Sequence, residues 1–163
     1  MSEAISNTSP LLYLHRAGVL EWIPRLFGGI WVPSAVVREL NEGRSRGYDV
    51  PELNQCAWVR IVDPTSIPPE WFALDLGPGE LAAVSLALEN PTLIVLLDDA
   101  LARRIAQAAG LNVWGTLKFL IEAKSQGLTE SIEPIINRLR NAGMWVSEDI
   151  QQRVLTLAKE SMG

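Results

Sequence analysis

The clearest pattern in the chain is a run of apolar residues, 93–97, that ends on two neighbouring carboxylates, Asp98 and Asp99. A turn signal at 90–91 precedes the run, and apolar residues at helical spacing follow it over 100–109. A short apolar run without alternation, followed by a helix, is typical of a parallel strand that is buried on both faces. The pattern therefore predicts a strand at 93–97 with two acids at its carboxyl end.

The same succession of short apolar runs and helical periodicity extends over most of the chain. A polar stretch at 7–9 separates a first short segment, 3–6, from helically spaced residues, which places Asn7 at a strand-to-helix turn. The sharpest turn signal, 77–79, precedes a further helix. The other predicted strands are 30–32, 57–62 and 111–113, and the other predicted helices are 10–26 with a joint near Gly18, 33–41, 80–89, 116–126, 132–139 and 148–159.

This order of elements predicts an α/β fold in three layers, α/β/α, with a mostly parallel central sheet and 93–97 as its central strand. With 163 residues and 48% hydrophobic composition, the chain is long enough for one well-buried core and too short for two. We therefore expect a single domain, 1–163, in which residues 116–163 form a helical tail.

The charge balance and the rare reactive residues exclude several classes of protein. A formal net charge of −5 argues against a broad basic surface for nucleic acid, because the neutralisation of phosphates drives that affinity. The single cysteine and the single histidine exclude an internal disulfide and a histidine-rich metal site. No apolar run approaches the roughly 18 residues that span a bilayer. We expect a soluble, cytoplasmic protein that does not enter a membrane.

Oxygen-bearing side chains follow the predicted strands or open the predicted helices. In parallel α/β units, the carboxyl ends of the strands and the amino ends of the following helices share one edge of the sheet. Glu39 lies one to two turns inside its helix, so only its long side chain could reach that edge. Carboxylate, amide and hydroxyl oxygens are the ligands of hard cations, which predicts a site for Mg²⁺ or Mn²⁺. The residues expected at the edge are Asn7, Glu80, Asp98, Asp99 and Thr116.

Each acid also has a purely structural interpretation. Asp98 or Asp99 would serve as a helix N-cap, a role worth about 1 kcal/mol, and Asp99 has the spacing of an ion pair with Arg103. The helix dipole would stabilise Glu80 in a first helical turn without any function. Glu39 would be an ordinary solvent-exposed residue of its helix. A cluster of acids nevertheless favours a metal, since two carboxylates about 5 Å apart repel by about 3 kcal/mol at an effective dielectric of about 20.

Four short motifs occur in order along the chain: Ile5-Ser6-Asn7-Thr8-Ser9-Pro10, Val36-Val37-Arg38-Glu39-Leu40, Gly77-Pro78-Gly79-Glu80 and Leu96-Leu97-Asp98-Asp99-Ala100. In this order and spacing, they resemble the PIN-domain family, the small metal-dependent ribonucleases that include toxins of prokaryotic toxin–antitoxin pairs. The helix start at 115–117 and the tail are similar to a PIN-like branch of that family. The resemblance therefore covers almost the whole chain.

The resemblance implies a metal-dependent ribonuclease with a PIN-like fold. Its catalytic residues would be Glu39, Glu80 and Asp99, and one or two Mg²⁺ or Mn²⁺ ions would activate a water for in-line attack on an RNA phosphodiester. RNA as substrate, an antitoxin protein as partner and a homodimer are implied as well. The implied metal ligands are Asn7, Glu39, Glu80, Asp98 and Asp99, and the residues implied to orient ligands or water are Thr8, Ser9 and Thr116.

Asn7 departs from the family pattern, which usually has Asp at this position. An amide oxygen can ligate a metal or accept a hydrogen bond from its water, but it brings no charge. A second function therefore stays open, that of a catalytically weakened PIN-like binding or regulatory protein that acts through a protein or RNA partner. Asn7 and the acidic pI of about 4.9 favour it, whereas Glu39, Glu80 and Asp99 favour the nuclease.

Overall fold

The protein was studied as a computed structural model that describes residues 1–160. Within these residues, five short strands form one all-parallel sheet in the order β3-β2-β1-β4-β5. The strands are β1 Ala4–Ser6, β2 Ile30–Val32, β3 Val59–Ile61, β4 Ile94–Leu96 and β5 Val113–Trp114. Helices cover both faces of the sheet, so the predicted three-layer α/β/α fold is confirmed.

The predicted helices are present with small shifts of their ends. Gly18, with φ +78°, lies at the joint of the first helical region, which divides into α1, a 3₁₀ turn at Leu20–Trp22 and α2. The tail predicted for 116–163 consists of α6 to α8, and its residues 161–163 lie outside the described residues. The helices are α1 Thr8–Arg16, α2 Ile23–Leu26, α3 Ser34–Ser45, α4 Pro78–Glu89, α5 Ala100–Ala108, α6 Thr116–Ser125, α7 Glu133–Asn141 and α8 Glu148–Leu157.

The alternation of side chains along the strands divides the core into two layers. Ala4 and Leu96 contribute to a cluster with α1 to α3 and α6 to α8, whereas Ile5 and Val95 contribute to a cluster with α4 and α5. α4 is buried on nearly all sides, because it packs against the sheet, α3 and α5 together. The runs of apolar residues seen in the sequence are therefore those of elements without a solvent face.

The prediction that 93–97 is the central strand is wrong, because β1 occupies the middle of the sheet. Ala4 is paired with Ile30 of β2 on one side and with Ile94 of β4 on the other. The chain winds from β1 outward to β2 and β3, and then returns to add β4 and β5 on the opposite side. The strand order thus reverses between β1 and β4, which is the place in a doubly wound sheet where a crevice opens.

None of the helices within residues 1–160 combines the length and the apolar character that a membrane span requires.

Candidate active site

The crevice at the reversal of strand order is bordered by side chains that lie just beyond the ends of β1 and β4. Asn7 follows β1, and Asp98 and Asp99 follow β4. The Asn7 backbone N–H donates to the Leu96 carbonyl at 3.1 Å, which holds the two strand ends together. Thr116 opens α6 just beyond the neighbouring strand β5. The parallel topology therefore gathers polar groups from three strand ends at one edge, where α/β sheets bind their ligands.

Asn7 presents a buried oxygen with no partner. Its residue is 4% exposed, and it occupies the N-cap position of α1 in extended conformation without capping the helix through its side chain. The Oδ1 atom has no hydrogen-bond partner among residues 1–160. An unpaired buried acceptor costs about 1–3 kcal/mol. This oxygen is therefore free to bind a cation or to accept a hydrogen bond from water.

Glu39 lies beside Asn7 because the first turn of α4 contains a glycine. A Cβ added to Gly79 would collide with Glu39 Oε1 and would lie 3.0 Å from Asn7 Oδ1. The hydroxyl Oγ1 of Thr8 donates to Glu39 Oε1 at 2.5 Å and orients that carboxylate. The side chain of Glu39 thus spans the distance from inside α3 to the strand ends.

Asp98 uses both of its carboxylate oxygens in hydrogen bonds. The backbone N–H of Thr116 donates to Oδ1 at 2.7 Å, and the Thr116 hydroxyl donates to Oδ2 at 2.7 Å. Ser9 Oγ also donates to Oδ2, at 2.9 Å. These bonds link the end of β4 to the starts of α6 and α1. They occupy three of the roughly four acceptor sites of the carboxylate, and ligation of a metal by Asp98 stays a prediction.

Asp99 and Glu80 form a second acidic group. Asp99 Oδ2 accepts a hydrogen bond from Ala102 N at 2.9 Å, so Asp99 is the N-cap of α5. Burial, then repulsion from Asp99 and Glu39, a hydrogen bond with Asp99 and repulsion from Asp75 raise the pKa of Glu80 from 4.5 to about 7. The carboxylates of Glu39 and Asp99 are therefore both close enough to Glu80 to disfavour its ionisation.

The ion pair of Asp99 with Arg103, which is one structural alternative for Asp99, does not occur among the salt bridges of residues 1–160. The Arg103 backbone N–H donates to the Asp99 carbonyl at 2.9 Å, as the helix requires. Its guanidinium instead lies near Gly115, where an added Cβ would be 2.9 Å from Arg103 Nη1 and 3.3 Å from Asp98 Oδ1. Arg103 is exposed, and it brings one positive charge to the acidic edge.

The residues suit a hard divalent cation by their chemistry. Every donor at the edge is an oxygen, one of them is unpaired, and the carboxylates repel one another. Across residues 1–160, however, no three His, Cys, Asp or Glu side chains are close enough together to hold a metal ion. The acids form two smaller groups, Glu39 beside Asn7 and Glu80 beside Asp99. Which of them ligate a metal stays a prediction.

A cleft of about 500 Å³ continues from these residues between α1 and α3. Sequence reasoning missed its outer part, although helical spacing carries a signal for it. Tyr13 lies four residues after Ser9, and Arg46 lies seven residues after Glu39, so each pair shares a helix face. The cleft is lined by Asn7, Thr8, Ser9, Leu12 and Tyr13 on one side, by Glu39, Glu42, Gly43, Arg46 and Tyr48 on the other, and by Glu80.

In a comparison with protein families, a model of the PIN domain matches residues 3–160. Comparison with curated proteins and with solved structures gave no match. The matched range includes all the residues of the acidic edge and of the cleft.

Proposed function

Because the chain belongs to the PIN-domain family, whose members are generally nucleases that use divalent metals, we propose that it is a Mg²⁺- or Mn²⁺-dependent endoribonuclease. The observation that carries the proposal is the position of Glu80 within electrostatic range of both Glu39 and Asp99, beside the unpaired Asn7 Oδ1. Burial is the main cause of the raised pKa of Glu80, and repulsion from Asp99 and Glu39 adds to it. A bound cation would offset that repulsion and so stabilise the carboxylates.

The proposed ligands are Asn7, Glu39, Glu80 and Asp99. When bound, the cation would lower the pKa of a water and offset the charge of the RNA phosphodiester. The chain itself keeps the ligands in position, since Thr8 donates to Glu39 and the N-cap bond to Ala102 N orients Asp99.

Asp98 has a positioning role in this proposal. Its bonds with Ser9 and Thr116 hold the starts of α1 and α6 against the end of β4. The Arg103 guanidinium lies beside Gly115 together with Asp98, and we assign it a contact with an RNA phosphate. Thr8, Ser9 and Thr116 thus all act through the carboxylates to which they donate.

Within this function, we propose the narrower role of a toxin with an antitoxin protein as partner and a homodimer as the assembly. The toxin role, the antitoxin partner and the homodimer rest on the family alone. A small protein of DNA-binding type encoded immediately upstream would support the toxin role, and growth inhibition relieved by its co-expression would test it.

The test is cleavage of single-stranded and structured RNA by the purified protein with Mg²⁺ or Mn²⁺. We expect a chelator to abolish cleavage, and Glu80→Ala and Asp99→Asn each to lower it by about 100-fold or more. Asp99→Asn is informative because Asn is as good an N-cap as Asp, so α5 should stay intact.

Asp149→Asn is the matched control, because Asp149 is also an acid at a helix start but its side chain is 73% exposed on α8. Its cleavage rate should equal that of the wild type. Cleavage that persists in chelator, or that is unchanged in Glu80→Ala and Asp99→Asn, would assign the activity to a contaminant.

A second candidate is a binding or regulatory protein that has lost efficient cleavage. Asn7 in place of a carboxylate favours it, and so does the finding that no three His, Cys, Asp or Glu side chains within residues 1–160 are placed to hold a metal ion. This function predicts specific RNA or protein binding by a preparation that does not cleave RNA with either metal. Cleavage that depends on Glu80 and Asp99 would exclude it.

A further inference from the structure

The cleft between α1 and α3 extends beyond the acidic edge, and residues without a role in the proposed metal site line its outer part. The chain has two tyrosines, Tyr13 and Tyr48, and both line this cleft, although 34 residues separate them in the sequence. The cleft leads from the carboxylates at its inner end to these rings at its outer end. Its volume of about 500 Å³ is within the range of small-ligand sites. An aromatic extension of this kind suits a flat, polar ligand.

Tyr48 is held in place by the way in which α3 ends. Gly47 has φ +86°, its N–H donates to the Arg44 carbonyl at 3.0 Å, and the Tyr48 N–H donates to the Gly43 carbonyl at 3.0 Å. This is the Schellman arrangement, in which the residue after the left-handed glycine packs back on the helix. A Cβ on Gly43 would lie 3.8 Å from Tyr48 Cδ2, so the ring rests beside Gly43. Tyr48 nevertheless stays 59% exposed.

Tyr13 is less accessible than Tyr48. It is half-buried on α1, and the Arg16 guanidinium lies 5.9 Å from its ring centroid. Tyr13 therefore forms a wall of the cleft, whereas Tyr48 has a free aromatic surface. Of the two rings, Tyr48 is the one that can receive a stacked partner.

The charge of the cleft changes along its length. Carboxylates dominate the inner end, and Arg46 stands at the outer end beside Tyr48, where Arg46 Nη2 pairs with Glu42 Oε1 at 2.7 Å. One bond to Glu42 leaves other guanidinium donors available for a phosphate. Because the whole chain has a net charge of −5, phosphate attraction alone would hold RNA weakly. Stacking on an aromatic ring provides affinity that does not depend on net charge.

We propose that the outer cleft is a nucleotide subsite for single-stranded RNA, in which one base stacks on Tyr48, Tyr13 forms the inner wall, and a neighbouring phosphate contacts Arg46. The inference rests on the proposed ribonuclease function, since it places a nucleotide next to the scissile phosphodiester. Such a subsite would select single strands, because a base that is paired and stacked in a duplex does not expose its face to a side chain.

The test is binding of a fluorescently labelled single-stranded RNA, measured by anisotropy in chelator so that cleavage does not interfere. We expect Tyr48→Ala to weaken binding about tenfold and Tyr48→Phe to retain it, because stacking needs the ring and not the hydroxyl. Arg46→Gln should lower the slope of log affinity against log salt by about 0.7, which corresponds to one phosphate contact on a single strand.

An abasic version of the same RNA makes the test specific for stacking. Wild type should bind the abasic strand about tenfold more weakly than the intact strand. Tyr48→Ala should weaken binding of the abasic strand no further, because stacking needs both the ring and the base. Trp145→Ala is the matched control, since Trp145 is an 82% exposed aromatic residue that does not line the cleft. Its RNA affinity should be unchanged.

Three results would overturn the subsite: no loss in Tyr48→Ala, equal losses in Tyr48→Ala and Tyr48→Phe, or no binding of single strands by wild type. The first result would favour a peptide, and not RNA, as the ligand of the outer cleft. The result of this binding test can be distinguished from the result of the cleavage test for the proposed nuclease. Cleavage lost in Glu80→Ala with normal RNA binding by Tyr48→Ala would refute the subsite alone, and base-dependent binding through Tyr48 without any cleavage would refute the nuclease alone.

Discussion

Asn7 places an uncharged oxygen where carboxylates already repel one another. Its Oδ1 is buried and unpaired, and Gly79 allows it to lie close to Glu39. The raised pKa of Glu80, about 7, reflects burial first and then the charges of its acidic neighbours. An amide at position 7 avoids adding a further charge to that group. Because Oδ1 makes no hydrogen bond within residues 1–160, Asn7 does not act as a structural hydrogen-bonder through both ends of its amide.

We expect Asn7→Asp to lower the stability of the metal-free protein and to raise its Mn²⁺ affinity by about tenfold or more. An added carboxylate about 5 Å from another costs about 3 kcal/mol at an effective dielectric of about 20, which corresponds to a fall in Tm of about 6–12 °C for a domain of this size. Thermal unfolding in chelator and titration calorimetry with Mn²⁺ measure the two effects.

Asn112→Asp is the control for Asn7→Asp, because it adds the same charge at an exposed position before β5, at the opposite edge of the sheet. It should change neither quantity. If Asn7→Asp and wild type bind Mn²⁺ equally, residue 7 does not face the metal.

At the scale of the element, the first turn of α4 decides how close the acids come. α4 begins at Pro78, whose fixed φ suits a first helical turn, and Gly79 and Glu80 follow. The missing side chain at Gly79 makes room for Glu39, and Glu80 points to Asp99 from the same turn. One turn of helix thus brings α3 and the end of β4 to a single site.

Gly79→Ala should leave the fold intact but weaken Mn²⁺ binding by about 10- to 100-fold. The new Cβ would displace the end of the Glu39 side chain, which is flexible, and alanine favours the helix by up to about 1 kcal/mol. Chemical unfolding should therefore give a free energy of unfolding within about 1 kcal/mol of wild type, while calorimetry reports the loss of affinity.

Gly77→Ala is the companion variant, since its Cβ would lie 3.6 Å from Glu80 Oε1, an ordinary contact. Metal affinity should hardly change in this variant. Unaltered Mn²⁺ affinity in Gly79→Ala would mean that Glu39 is not a ligand.

At the scale of the whole molecule, a carboxylate near the end of the described chain joins the helices of the tail. Glu160 follows α8 and accepts hydrogen bonds from Lys124 Nζ at 2.9 Å, Ser131 Oγ at 2.8 Å and Ile132 N at 2.9 Å. Burial acts to raise the pKa of Glu160, but these bonds outweigh it and hold the pKa below its ordinary value of 4.5. The tail therefore depends on one ionised side chain that is 10% exposed.

Glu160→Gln should lower the free energy of unfolding by about 2 kcal/mol at pH 7, as expected for the loss of charged hydrogen bonds. Since the folded-state pKa lies below the unfolded one, this stabilisation is present above about pH 4.5 and is lost as the pH falls through the folded-state value. Urea unfolding at pH 7 and at about pH 3 should show the difference between the two proteins shrinking at the lower pH.

Glu130 is exposed in the loop between α6 and α7, so Glu130→Gln is the control for the removal of an acid from this region. It should match wild type at both pH values. A difference between Glu160→Gln and wild type that persists unchanged at about pH 3 would show that the charge of Glu160 does not stabilise the tail.

The sequence alone determined the layers of the fold and the edge where its polar groups meet. Buried runs such as 93–97, each followed by helical periodicity, predict parallel strands covered on both faces. Parallel strands with helical crossovers place all their carboxyl ends on one side. Asn7, Asp98 and Asp99 could therefore be placed at a common edge without coordinates, because local periodicity and connection geometry suffice for that inference.

The tertiary structure decided the strand order, the different surroundings of neighbouring acids and the extent of the cleft. β1 rather than β4 is central, and Asp98 accepts three hydrogen bonds while Asp99 caps α5. These features depend on contacts between residues far apart in the chain, such as Gly79 with Glu39. That Tyr13 and Tyr48 line one cleft has the same origin, since α1 packs on α3 and no local pattern specifies which helices pack side by side.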